Sequence, residues 1–243
     1  MTETWIILGA TSAMARAFAR ALADRGAGLV LAARDLDEAE QQARDLRLRG
    51  AGFARAVAFD ARRPEGFAAL FENLGEGPVN AAVFAGAMPD QSAIDADPAL
   101  IAAVCETNFT GPARVLSLLA PRIEAQGTGV IVGVGSVAGD RGRLGNYVYG
   151  ASKAAFATYL SGLRNRLARR GGHVMTVKPG FVDTAMTWGL GGMFLVASPE
   201  AVAAAILKGV EARRNVIYVP GFWRAIMAII RAIPEPIFKK LKI

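Results

Sequence analysis

The chain has 243 residues, 53% of them hydrophobic and 20% charged, with 27 glycines and 11 prolines; this profile fits one well-packed globular domain and excludes a collagen, a disordered chain or a small disulfide scaffold. One cysteine, Cys105, and one histidine, His173, leave no pair for a disulfide, no Cys-rich metal site and almost nothing for a His-ligated metal or a Ser-His-Asp triad, so neither is assigned a chemical role. The formal charge is +7, and residues 204–243 carry eight cations against two carboxylates, a basic end suited to an anionic lipid or phosphate partner rather than to nucleic acid.

From the N-terminus, short apolar runs alternate with longer amphipathic stretches, the pattern of repeated βα units around a parallel sheet. A strand at 5–8 runs into Gly9-Ala10-Thr11-Ser12-Ala13-Met14-Ala15. These small residues open a helix at 13–25 and suit either a tight turn or a pyrophosphate held on backbone N–H groups at the helix N-terminus. The strand at 29–32 ends in Ala33-Arg34-Asp35 ahead of a helix at 36–49. With no acid at Ala33 and a guanidinium at Arg34, that end favours the 2'-phosphate of NADP(H), with NAD(H) as the alternative because Asp35 follows. Strands at 56–59 and 81–85 flank a helix at 64–74, and Asp97-Pro98 opens a long helix at 98–124 with a capping residue and a proline at its first position.

After a strand at 130–134 comes Ser136, and the helix at 147–169 carries Tyr149 and Lys153. Four residues apart, they share one helix face, where a cation favours the tyrosinate. Bringing a tyrosine from its ordinary value near 10 to neutrality takes about 4 kcal/mol, assigned here to Lys153 and the positive charge of a cofactor. Tyr147 lies off that face and is expected to point elsewhere. A strand at 174–177, a helix at 199–212 opened by Ser198-Pro199, and a strand at 216–219 complete seven strands, enough for one doubly wound sheet.

From Pro220 the chain reads PGFWRAIMAIIRAIPEPIFKKLKI, dividing it into a domain at 1–219 and a basic amphipathic extension at 220–243. In a helix over 222–233, Arg224 and Arg231 share one narrow face while Phe222, Trp223, Ile226, Met227, Ile229, Ile230 and Ile233 cover the rest. Such a helix must bury against the domain, a second subunit or a membrane surface. On a membrane, Trp223, Ile226, Met227 and Ile230 would meet lipid, and Lys239, Lys240 and Lys242 the anionic headgroups. No stretch reaches the roughly 18–20 apolar residues that span a bilayer, and MTETWIILGAT lacks a secretory pattern, so a cytoplasmic location is expected.

Ser136 stands thirteen residues before Tyr149, and around that pair the chain resembles the short-chain dehydrogenase/reductase family. Its parts follow the family's order over residues 4–219: the Gly9 turn, Asp60, Ala85-Gly86, Asn108 in the long helix, Ser136, Tyr149, Lys153, Pro179-Gly180, Val182 and Thr184. The resemblance implies a single-domain α/β fold of Rossmann type with a doubly wound seven-stranded parallel sheet, and an NAD(P)-dependent oxidoreductase acting on a carbonyl. It also implies Tyr149 as general acid, Ser136 positioning the carbonyl, Lys153 on the nicotinamide ribose and Asn108 holding a relay water. Cofactor contacts carried over with it are Gly9, Thr11, Ser12, Ala13, Met14, Arg34, Asp60 at the adenine, Ala85, Gly86, Tyr149, Lys153, Pro179, Gly180, Val182, and Thr184 on the carboxamide side. The chain departs from the family at Ala13 and Ala15, where glycines are usual, and at Val83-Phe84, where paired asparagines are.

Within the family, GATSAMA, Gly139-Asp140-Arg141 with YGASK, and the basic end resemble the decaprenylphosphoryl-2-keto-ribose reductases. That resemblance implies reduction of a polyprenyl-phosphate-linked 2-keto-pentose and a flavoprotein oxidase as partner. It also implies a homodimer or homotetramer and peripheral contact with the inner face of the plasma membrane. Met186, Trp188, Leu190, Met193, Phe194 and Leu195 would then form a lid over a greasy substrate. The alternatives are a soluble carbonyl reductase for acyl-carrier, steroid or small ketone substrates, and a nucleotide-binding partner subunit without turnover.

Overall fold

The computed structural model describes residues 2–184, except 73 and 76, and residues 196–241. Seven strands, β1 (Thr4–Leu8), β2 (Gly28–Ala33), β3 (Phe53–Ala58), β4 (Val79–Val83), β5 (Val130–Val134), β6 (His173–Pro179) and β7 (Val216–Val219), form one sheet in the order β3-β2-β1-β4-β5-β6-β7. Every pairing is parallel. The described helices are α1 (Ala13–Ala23), α2 (Leu36–Leu48), α3 (Gln91–Ala96), α4 (Ala99–Cys105), α5 (Gly111–Gln126), α6 (Tyr147–Ala168), α7 (Pro199–Glu211), α8 (Trp223–Ala232) and α9 (Glu235–Phe238). Helices cover both faces, so the central strands are apolar on both, and every residue of β1, β2 and β4 is buried. Side chains alternate along β1: Trp5 and Ile7 pack with Phe18, Leu22, Leu46 and Ile206, and Ile6 and Leu8 with Leu116, Ile123, Phe156 and Leu160. The chain winds outward from β1 to β3 and then crosses to β4, which leaves a crevice between the β1 and β4 ends, where such sheets bind ligands.

The departures from the expected elements have local causes. The segment at 64–74 forms two short 3₁₀ turns, Pro64–Gly66 and Ala68–Phe71; with a glycine in its first turn, so short a piece cannot offset helix nucleation. The helix expected at 98–124 is α4, a π turn at Glu106–Thr110 and α5, preceded by the unexpected α3. α4 starts at Ala99 with Pro98, not Asp97, in the capping position and without a side-chain cap bond, although Asp97 accepts a hydrogen bond from the Ala99 N–H at 3.1 Å. β4 ends at Val83 rather than Ala85, because β1 ends opposite it at Leu8 and the chain then turns toward the crevice. β3 begins at Phe53, three residues before the expected start, in register with Gly28 of β2.

The C-terminal extension folds back onto the domain. Trp223 and Met227 of α8 are buried with Val137, and Phe181, Tyr218, Ile226 and Ile230 pack around them. Arg141 fastens the far end: its Nη1 donates to the carbonyls of Ile230 and Ile233, each at 2.6 Å, and its Nη2 to Glu235 at 2.8 Å. The Phe238 ring lies 3.6 Å from the same guanidinium. The face expected to meet lipid through Trp223 and Met227 is therefore turned onto the protein, because these side chains fill the gap beside β7. Phe222, Ile229, Ile237 and Leu241 are the large apolar residues of the extension left exposed. Among the described residues, no helix is long and apolar enough to cross a membrane. The expected lid residues, 186–195, lie outside the described residues, as does Lys242.

Candidate active site

Two adjoining hollows open at the C-terminal ends of the strands. The first, a cleft of about 360 Å³, is lined by Gly9, Thr11, Ser12, Arg34, Asp35, Asp60, Ala85 and Gly86, among others. Gly9 has φ +78°, and a Cβ there would stand 2.6 Å from the Ala85 nitrogen, so only glycine lets the first turn pass so close to the chain leaving β4. Ser12 caps α1 by accepting the Ala15 N–H at 3.3 Å, and the positive end of α1 faces the cleft. The Asp35 carboxylate caps α2, accepting the Glu38 N–H at 2.9 Å. Arg34 makes no ion pair among the described residues. Burial pushes the Asp60 carboxyl up, but hydrogen bonds from the Arg62 N–H and guanidinium, with the nearby Arg34 charge, bring it below the usual range. A glycine cradle, a helix N-terminus and a cation at the end of β2 together fit a dinucleotide phosphate, and Ala13 tops the same helix.

The second hollow, about 300 Å³, is lined by Met14, Ser136, Arg143, Asn146, Tyr149, Pro179, Gly180, Val182, Thr184 and Trp223, among others. Ser136 and Tyr149 meet because the turn Val137–Gly139 crosses the start of α6 at Gly150, where a Cβ would lie 2.7 Å from the Ala138 carbonyl oxygen. Burial raises the Tyr149 phenol above its ordinary value, while a hydrogen bond with Ser136 and the Arg143 charge pull it down. The cation expected to do this was Lys153. Its Nζ instead lies 5.9 Å from the Tyr149 ring centre, donates to the Val134 carbonyl at 3.1 Å, and is itself pushed down to about 8 by burial. Tyr147 points away, as expected, and donates to Asp95 at the surface.

Asn108 lies in the π turn and is fully buried. Its Nδ2 donates to the Ala87 carbonyl and to the Ser152 hydroxyl, each at 2.9 Å, and its Oδ1 accepts the Ala87 N–H at 2.7 Å. These bonds pin the loop after β4 to α6. Ser152 passes the contact on, donating to the Tyr149 carbonyl at 2.7 Å. Under α8, the buried Asp140 pairs with Lys178 and accepts the Tyr218 hydroxyl at 2.7 Å; burial and this carboxylate push Tyr218 up to about 12.

Sequence reasoning did not single out Arg143 or Asn146, and placed Trp223 outside the cavity that it walls. Arg143 had one signal: it lies between Ser136 and Tyr149, on a chain that must pass the cavity mouth. Trp223 had none, because its contact with Gly180 joins segments more than forty residues apart.

The family model described as short chain dehydrogenase matches residues 3–192. An uncharacterised oxidoreductase of Streptomyces coelicolor is 37% identical over 97% of this chain and 94% of its own. A ketoacyl reductase of Nostoc is 28% identical over 89% of this chain and 78% of its own. Among solved structures, a short-chain dehydrogenase from Sphingobium yanoikuyae in complex with NADPH superposes with a TM-score of 0.81 at 28% identity, covering 97% of each chain.

Proposed function

The chain belongs to the short-chain dehydrogenase family, and from that premise we propose that it is an NADP(H)-dependent ketoreductase acting on a polyprenyl-phosphate-linked 2-keto-pentose at a membrane face. It is an NAD(P)-dependent oxidoreductase of the ketoreductase type; the proposal adds the cofactor preference, the residue roles and the substrate. The observation that carries it is the meeting of Ser136 and Tyr149 at one cavity whose wall includes Trp223 of the basic extension.

A carbonyl oxygen placed between the two hydroxyls is oriented by Ser136 and receives the Tyr149 proton as negative charge develops on it. When bound, the dinucleotide supplies the hydride for the carbonyl carbon. Lys153 stands behind Tyr149, where it can hold the nicotinamide ribose, and Asn108 keeps the loop after β4 fixed against α6. Arg34 favours NADP(H), since Asp35, the acid that could favour NAD(H), is engaged at the cap of α2.

Membrane contact is supported by the exposed Phe222, Ile229, Ile237 and Leu241 beside the exposed Arg224, Arg231, Lys239 and Lys240; each cation gains about 1 kcal/mol near anionic headgroups. A groove lined by Phe109, Leu118 and Tyr159 supports a homo-oligomer, and a flavoprotein oxidase would supply the keto substrate. The test is NADPH consumption with a short-prenyl phosphoryl-2-keto-pentose, alongside sedimentation with phosphatidylglycerol vesicles. Turnover and salt-sensitive sedimentation are expected, the latter lost in Ile229→Glu/Ile237→Glu. Reduction of simple ketones but not of the lipid-linked sugar would overturn the substrate, and failure to sediment at low salt would overturn the membrane contact.

A further inference from the structure

We infer that Arg143 is the anion-recognition residue of the substrate cavity, so that the ketone reduced beside Tyr149 carries a phosphate or carboxylate that pairs with its guanidinium. The inference rests on the ketoreductase reading and goes beyond it by naming the residue that recognises an oxyanion of the substrate.

Arg143 lies on the loop between Ser136 and α6. Its neighbour Leu144 is 70% exposed, whereas Arg143 is tucked into the cavity wall beside Ser136 and Tyr149. The guanidinium Nε is cut off from solvent with no hydrogen-bond partner, and Arg143 makes no ion pair among the described residues. The carboxylate whose field reaches it, Asp140, is already held by Lys178 and Tyr218. The Asn146 Oδ1, lining the same cavity, is also buried without a partner. Burying an N–H without an acceptor is costly. Arginine cannot relieve that cost by losing its proton. Turning Leu144 inward and Arg143 outward would remove it, yet the loop does the opposite. An oxyanion in the cavity that Arg143 lines meets the guanidinium at its Nη nitrogens, which are not sealed off as Nε is, and gives it the counter-ion that no described residue supplies.

The test compares matched ketones on the full chain with NADPH: levulinate against methyl levulinate for the carboxylate, and dihydroxyacetone phosphate against dihydroxyacetone for the phosphate. The anionic member of at least one pair should be favoured in kcat/KM by about tenfold to a hundredfold, mainly through KM, as for a charge-assisted hydrogen bond. The pair with the larger ratio identifies the oxyanion. Arg143→Gln should bring the ratio to about one, and Arg143→Lys should keep part of it. If Arg143 only shaped the loop, Arg143→Gln would slow both members alike and leave the ratio standing. That result, or ratios near one for both pairs in the unsubstituted chain, overturns the inference. Turnover of no ketone would count against the ketoreductase reading instead. Calorimetric titration of levulinate and its ester into the NADPH-loaded protein would then decide: preferential anion binding lost in Arg143→Gln supports the inference, and equal binding refutes it.

Discussion

Lys153 should make the protein less stable at neutral pH than it would be without that charge. Its ammonium is buried, with one described hydrogen bond, to the Val134 carbonyl, and burial brings its pKa from 10.5 to about 8. At about 1.4 kcal/mol per pH unit, keeping the group charged costs the folded state about 3 kcal/mol. Below pH 8 the folded and unfolded chains both hold the proton, so the full cost applies. Between 8 and 10.5 the folded chain releases the proton while the unfolded chain keeps it, so stability rises with pH, and above 10.5 the cost is gone. Lys153→Met removes the charge but leaves the Val134 carbonyl unpaired, a loss of about 1 kcal/mol. The variant should therefore be more stable than the unsubstituted chain by about 2 kcal/mol at pH 7. That advantage should shrink as pH rises through 8 and vanish or reverse near 10. Urea unfolding of both proteins without cofactor, across this range, measures the difference and cancels groups common to the two. An advantage that does not change with pH, or a variant less stable at pH 7, would refute the reasoning.

Tyr149→Phe keeps the ring and removes the proton, so turnover should fall by about 10² to 10⁴, with cofactor affinity retained in a fluorescence titration. Tyr147→Phe, which loses surface bonds to Asp95 and Gln91, should stay close to normal in the same assay. Arg34→Ala should weaken NADPH binding by about 1.5 to 3 kcal/mol and scarcely change NADH binding; equal calorimetric affinities for both cofactors in the unsubstituted chain would dispose of the idea. In Gly180→Ala the new Cβ runs into the Trp223 indole. α8 should loosen, seen as faster hydrogen exchange over 223–232, and ketone turnover should drop, because the same indole walls the cavity.

Hydrophobic periodicity by itself located seven strands along the chain and most of the helices between them, because strands buried on both faces are largely apolar and their covering helices repeat at 3.6 residues; it missed α3 and the 3₁₀ turns at 64–71. Short-range spacing likewise brought Tyr149 and Lys153 to one helix, and the small residues after Leu8 marked the turn at Gly9. Element ends were less legible: β4 stops at Val83 because β1 gives out beside it, a matter of pairing rather than of composition. The environments of the site groups were decided only by the tertiary structure. Lys153 is a cation on a helix face in the sequence, but buried against the end of β5 its charge becomes a cost. The apolar stripe of the last helix was plain, yet which half of it faces water depends on Gly180 leaving room for Trp223 and on Arg141 reaching the carbonyls of Ile230 and Ile233. Desolvation and contacts between residues forty to ninety positions apart have no local pattern to announce them, so they exist only once the chain has closed on itself.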